Sequence, residues 1–189
     1  ADYLAAAGVE NARFDAECLL GKVLGMSRLD LYLQYERELS PADRAGFRDL
    51  LKRRREREPL QLILGDVEFL GLSFSVRSGV FIPRPETEFF AEQVLTRLNA
   101  EFPAGDHACR ALELGVGSGV ISVSLAAARG DLQIWASDVS PEALALAAEN
   151  AERHEVSTRV DFQECAGLPV DNGGSVQLIV SNPPYVRLD

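Results

Sequence analysis

Tryptophan and methionine occur once each, histidine twice and cysteine three times in this chain of 189 residues. Each scarcity closes off a chemistry. Cys18, Cys109 and Cys165 stand far apart and form no C-x-x-C pair, which argues against a zinc site and for a reducing, cytosolic setting. His107 and His154 have no ligand-like neighbours in the sequence and read as surface histidines. No apolar run reaches the length needed to cross a membrane, and no signal peptide opens the chain; its first residue, Ala1, reads as a trimmed start. Positive charge is also short. With 19 Lys and Arg against 29 Asp and Glu, the net charge is −10, which disfavours a broad duplex-binding surface. No direct nucleic-acid partner and no membrane partner is expected, and a monomer is the expectation for the chain by itself.

The remaining composition is ordinary for a globular protein: 47% apolar and 25% charged residues, with length for one large or two small cores. Residues 1–64 read as helical. Phe14, Cys18, Leu19, Val23 and Leu24 repeat at helical spacing, and Leu29, Leu31, Tyr32 and Leu33 form a second apolar cluster. Ser40-Pro41 starts a further helix, with Ser as N-cap, Pro at the first helical position and Asp43 in the first turn. That helix turns Phe47, Leu50 and Leu51 inward and ends by Pro59. Lys52-Arg53-Arg54-Arg55-Glu56-Arg57 closes it, either as a solvated basic end that complements the helix dipole or as a docking patch for an acidic or RNA-associated partner.

Residues 65–82 change pattern. Val67, Phe69, Leu72, Phe74, Val76 and Val80 alternate loosely about Gly71, as in a β-hairpin bridging two domains. Phe81-Ile82-Pro83-Arg84 is extended and enters a helix at Pro85, whose buried face would carry Phe89, Phe90, Val94, Leu95 and Leu98. From Arg110 the chain alternates strand and helix, which predicts a parallel sheet in residues 83–189. Strands are expected at Ala111–Leu114, Ile134–Ser137, Val160–Glu164 and Val176–Ser181.

Two constellations bear chemistry. Glu113-Leu114-Gly115-Val116-Gly117-Ser118-Gly119 joins a strand to a helix through alternating glycines, which permit a tight turn and close backbone approach to a ligand. A dinucleotide fingerprint would place its third glycine at 120, where this chain has Val120. The tighter G-x-G-x-G form suits a ligand without a pyrophosphate. Asp138 ends the next strand and is placed to accept hydrogen bonds from two ribose hydroxyls. Loop and acid together indicate a nucleoside-bearing cofactor.

The second constellation is Asn182-Pro183-Pro184-Tyr185, directly after the fourth strand. Two prolines cannot continue a sheet ladder, so the strand stops at Asn182 and presents it at the carboxyl edge. An amide, carbonyl-rich backbone and an aromatic face suit a planar group that donates two hydrogen bonds. The same residues also allow a strand that merely ends in a Pro-Pro loop.

An acidic first-strand end, the glycine loop, the ribose acid and Asn-Pro-Pro-Tyr together resemble the class I S-adenosylmethionine-dependent methyltransferases of amide or exocyclic nitrogen. With Phe81-Ile-Pro-Arg-Pro-Glu-Thr-Glu88 and Arg53-Arg-Arg-Glu-Arg-Glu-Pro-Leu-Gln-Leu-Ile-Leu-Gly65, the resemblance narrows to the HemK/PrmC family, which methylates the glutamine of the Gly-Gly-Gln motif in peptide-chain release factors. It implies a Rossmann-like α/β methyltransferase domain preceded by a small helical domain that recognises the release factor. It further implies that Glu113, Gly115, Val116, Gly117, Ser118, Gly119 and Asp138 hold S-adenosylmethionine, with Asn182 also reaching the cofactor. Asn182, Pro183, Pro184 and Tyr185 would hold the substrate glutamine, and Arg84 and Pro85 would shape the entrance. Cys165-Ala166 stand where the family often has Asp-Trp against adenine, which removes an acceptor and a stacking face. The family's sheet also continues past Tyr185, so the chain is expected to be a fragment whose fourth strand is an open edge. Three other functions fit parts of the pattern: a nucleic-acid amino-methyltransferase, a nicotinamide dehydrogenase (disfavoured by Val120) and a non-catalytic binding module.

Overall fold

The computed structural model describes residues 1–105, 109–168 and 175–183. His107, Pro184 and Tyr185 lie outside the described residues. The chain divides into two compact units, Ala1–Gly65 and the remainder from Asp66. Among the described residues no helix is long and apolar enough to cross a membrane.

The first unit holds α1 (Asp2–Ala5), α2 (Ala12–Leu24), α3 (Arg28–Leu33), α4 (Pro41–Arg55) and α5 (Leu60–Leu64). Both Ser27 and Ser40 form capping boxes, accepting from the N3 amides of Asp30 and Asp43 while those carboxylates accept from the cap amides. The core is small: Leu4, Val9, Ala12 and Ala16, with Phe47 and Leu51 packed against it. The predicted apolar cluster at 29–33 does not join it. Leu29 and Leu33 are 66% and 71% exposed, because a helix of six residues (α3) offers too little length to bury more than one side.

The basic run 52–57 places Lys52, Arg53, Arg54 and Arg55 in the last turn of α4, mostly exposed, as a basic end that complements the helix dipole, and its arginines also have local partners. Arg54 pairs with the buried Asp15 at 2.6 Å and donates to the Glu58 carbonyl. Arg53 grips the Glu58 carboxylate, Arg55 lies over the Tyr3 ring, and Arg57 donates to the carbonyls of Ala7 and Gly8. Arg54, Arg55 and Arg57 thus staple α4 and its exit to α2, α1 and their connection, while Arg53 ties the helix end to its own exit. α4 stops at Arg55, before Pro59, which instead opens α5 as its N-cap.

The second unit begins with β1 (Asp66–Phe69) and β2 (Leu72–Ser75), paired antiparallel. Leu70 and Gly71 both have positive φ, the requirement of a two-residue type I′ turn. Leu70 is an unusual tenant of that region, and its N–H is held by Glu88 Oε1 at 2.7 Å. Phe69 and Phe74 drop into the core of this unit edge to face, so the hairpin packs with the second unit.

The rest of that unit comprises α6 (Pro85–Glu101), β3 (Cys109–Leu114), α7 (Val120–Ala128), β4 (Leu132–Asp138), α8 (Pro141–Arg153), β5 (Val160–Glu164) and β6 (Leu178–Ser181). The four strands β3 to β6 form one parallel sheet in the order β5-β4-β3-β6. On α6 the buried face runs through Thr87, Ala91 and Leu98, with Phe90, Val94 and Leu95 against the core. Phe89, expected on that face, is 65% exposed: two residues beyond Thr87, it is turned about 200° around the helix.

One residue of α8 ties three elements together. The fully buried Asn150 accepts from Ser75 N at 2.8 Å and donates to the carbonyls of Ser75 and Ser118 at 3.1 and 2.8 Å. It serves β2 as a missing strand partner would, while its second N–H fixes the loop after β3. Asn150→Ala leaves two acceptors and one donor unpaired. It is expected to cost about 2 kcal/mol of stability, readable as a lower urea midpoint with an unchanged slope.

Candidate active site

The strand order reverses at β3, since β4 and β5 extend to one side and β6 returns on the other. In open α/β sheets the crevice at the carboxyl ends beside such a reversal is the ligand site. Register brings the relevant residues level there. Leu114 aligns with Ser137 on β4 and with Ser181 on β6, so the next residues along, Gly115, Asp138 and Asn182, emerge in one row. On β5 the residue level with Asp138 is Glu164, and Cys165 follows one step further on, its N–H donating to the Asp138 carbonyl at 3.1 Å.

The loop from Gly115 to Gly119 is a turn built on backbone. Gly115, Gly117 and Gly119 have φ of 71°, 56° and 83°. The amides of Gly115 and Val116 both donate to the Ser137 carbonyl, which pins the loop to β4. Val116 and Ser118 are buried, which leaves the accessible surface of the loop to Gly115 and Gly117. A Cβ at Gly115 or Gly117 would meet nothing within 4 Å, which means the loop faces open space. Gly119 is different. A Cβ there would sit 3.0 Å from the Ala147 Cβ and 3.1 Å from its Cα, so this glycine is needed both for its φ and for the contact between α7 and α8.

Asp138 crosses the crevice mouth. Its Oδ2 accepts from Gly117 N at 2.9 Å and its Oδ1 from Ser140 N at 3.0 Å. A carboxylate has about four acceptor positions, so two remain for hydroxyls arriving from solvent. Glu113 behaves otherwise. It is 1% exposed and its Oε2 accepts both the N–H and the hydroxyl of Ser122 in the first turn of α7. It therefore caps the helix beneath the loop and shapes the site from below.

Burial pushes the Glu113 carboxyl up to about 8, against the lowering effect of the Ser122 hydrogen bonds and with help from the nearby Asp138 charge. A carboxyl whose folded value lies above its ordinary 4.5 takes up protons on folding. Its stabilising contribution is complete below pH 4.5 and is lost as pH rises toward about 8. Thermal melts of Glu113→Gln are expected to lack that decline, whereas the parent protein should show it.

Asn182 stands half-buried at the end of β6, and its Nδ2–H donates to Thr87 Oγ1 on α6 at 2.9 Å. Its carbonyl oxygen is the end left to accept. Pro183 comes next and is exposed. Cys165 is half-buried, with its Sγ 3.4 Å from the Gly167 carbonyl, and Ala166 is exposed. Arg84 is the N-cap residue of α6 and Pro85 its first helical residue. Reasoning on the sequence missed Thr87 and Asn150; Thr87 was visible inside the Pro-Arg-Pro-Glu-Thr-Glu run, without any sign of what it touches.

Comparisons with known proteins cover both units. Residues 1–65 match the family described as the PrmC N-terminal domain, and residues 72–188 match the methyltransferase small domain. Similar curated proteins include the release factor glutamine methyltransferase of Geobacter sulfurreducens, 45% identical over 184 residues, covering 97% of this chain and 62% of that protein. The protein of the same name from Chlorobaculum tepidum is 39% identical over 188 residues, covering 97% of this chain and 64% of its own. The chain thus spans less than two thirds of either relative. Among solved structures, the N-terminal domain of human METTL16 superposes with a TM-score of 0.51 over 74% of this chain and 54% of that one, at 19% identity. That likeness speaks for the fold alone.

Proposed function

The chain belongs to the HemK/PrmC family, and on that premise we propose that its protein transfers a methyl group from S-adenosylmethionine to the side-chain amide nitrogen of the glutamine in the Gly-Gly-Gln motif of peptide-chain release factors. The observation that carries this reading is the single row of Gly115, Asp138 and Asn182 at the carboxyl edge, with the Asn182 carbonyl oxygen left to accept.

The residues at that edge fit the cofactor. The glycine loop faces open space, and Asp138 keeps acceptor positions free toward it. Gly115 to Gly119 and Asp138 would hold the nucleoside, with Cys165 and Ala166 at the adenine end and Asn182 at the methyl end. When bound, S-adenosylmethionine supplies a methyl on a sulfonium, which is reactive enough to need no covalent help from the protein.

The protein's own task is to make a poor nucleophile attack. An amide nitrogen has its lone pair delocalised into the carbonyl. Asn182 oxygen and the Pro183 carbonyl would accept the two N–H protons of the substrate amide. That fixes the nitrogen in the attacking orientation and steadies the positive charge that develops on it. Tyr185 and Pro184 would complete the substrate grip. The helical unit, residues 1–65, would recognise the release factor, and a soluble cytoplasmic monomer is the working state proposed.

Incubation of the purified protein with S-adenosylmethionine and a release factor should raise the factor's mass by one methyl, and fragmentation should place that methyl on the glutamine of Gly-Gly-Gln. Methyl found on adenine or guanine of added nucleic acid, with none on the factor, would transfer the assignment to the nucleic-acid amino-methyltransferases.

A further inference from the structure

Thr87 is 7% exposed in the first turn of α6, and its hydroxyl oxygen accepts the Asn182 amide proton across 95 residues of sequence. Two neighbours fix where that hydroxyl stands. The Thr87 amide donates to the Arg84 carbonyl at 2.9 Å, closing the turn that Pro85 begins. The next residue, Glu88, reaches the other way and holds the Leu70 amide in the hairpin turn at 2.7 Å. The first turn of α6 is thus anchored on β1 and β2 on one side and on the end of β6 on the other.

The chemistry of Asn explains why such an anchor matters. The terminal torsion of its side chain has a broad, two-fold preference, and its oxygen and NH2 ends are alike in size. Without an outside partner, either end could face a substrate. An NH2 group turned toward the site would meet the substrate's own N–H protons and repel them. We propose that Thr87 is a positioning residue: by accepting the Asn182 NH2, it commits the Asn182 carbonyl oxygen to the substrate nitrogen. The proposal rests on Asn182 being the substrate-amide acceptor, and it assigns a task to the Thr in the Pro-Arg-Pro-Glu-Thr-Glu run.

Thr87→Val keeps the shape and removes the acceptor; Thr87→Ser keeps the acceptor. Single-turnover methyl transfer to a release factor, S-adenosylmethionine affinity by calorimetry and melting temperature would be measured for both, for Asn182→Ala and for the Thr87→Val/Asn182→Ala double variant. Thr87→Val is expected to transfer methyl about tenfold more slowly with unchanged cofactor affinity, and Thr87→Ser to recover most of the rate. Adding Thr87→Val to Asn182→Ala should then cost nothing further, because the residue acts only through Asn182. A wild-type rate in Thr87→Val beside a slow Asn182→Ala would overturn the role of Thr87 and leave Asn182 in place. A tenfold loss that repeats in the Asn182→Ala background would reduce Thr87 to a structural residue. A wild-type rate in Asn182→Ala would remove the premise itself. Should Thr87→Val melt below the assay temperature, Thr87→Ala carries the same comparison.

Discussion

Asn182→Ala is expected to slow methyl transfer to the release factor about a hundredfold, the scale of loss caused by misplacing one reacting group, while S-adenosylmethionine binds almost as before. Asp138, the residue proposed for the ribose, lies across β3 from Asn182 in the sheet and is untouched by the change. The loss should therefore appear in the rate at saturation rather than in the affinity for cofactor. Asn182→Asp makes a finer probe. Its carboxylate still accepts a substrate N–H, and the Thr87 hydroxyl can reverse and donate to it. That variant should be faster than Asn182→Ala and slower than the parent. Single-turnover transfer at the parent rate in Asn182→Ala would return this stretch to a strand that happens to end in prolines.

The second large effect belongs to Asp138. Asp138→Ala is expected to raise the dissociation constant of S-adenosylmethionine about tenfold to a hundredfold, since hydrogen bonds to a charged acceptor contribute roughly 1.5–3 kcal/mol. The structure adds a reason that a ribose contact alone would not supply. Asp138 also holds the Gly117 amide, so its loss loosens the loop proposed to face the cofactor. Asp138→Asn keeps one acceptor oxygen and should lie between the two. Calorimetry showing unchanged affinity in a folded Asp138→Ala protein would remove Asp138 from the ribose.

The parts of this architecture that can be read from a sequence are those written in a short span. The glycine loop, the strand-ending Asp138 and the two prolines after Asn182 each announce a local backbone event, and the strands fall close to where alternation and chain punctuation put them. β5 coincides with its expected bounds, and β4 begins two residues earlier, at Leu132. What a sequence conceals is the partner of each polar group. Asn150 looks like any polar residue of an amphipathic helix, and only the folded hairpin and loop reveal three groups converging on it. The family resemblance sets Glu113 among the cofactor residues, yet its depth beneath α7 depends on how the helix returns over the sheet. Burial of single apolar residues is equally hidden. Phe89 and Leu33 are apolar and both exposed, because which side of a helix meets the core becomes visible only in the fold.

The near-contact of Gly119 with Ala147 has a consequence for how this site can change. The two positions share one small volume, and the glycine already takes none of it for a side chain. While the loop keeps its course, position 147 has little room to grow, although it lies in the middle of a helix. Remodelling the loop for a bulkier ligand would therefore have to start in α8, with a shift of that helix away from α7. Because Asn150 sits one turn further along the same helix and holds both Ser75 and Ser118, such a shift would drag the hairpin and the loop with it. Adaptability of the glycine loop is thus limited by the helix packed behind it.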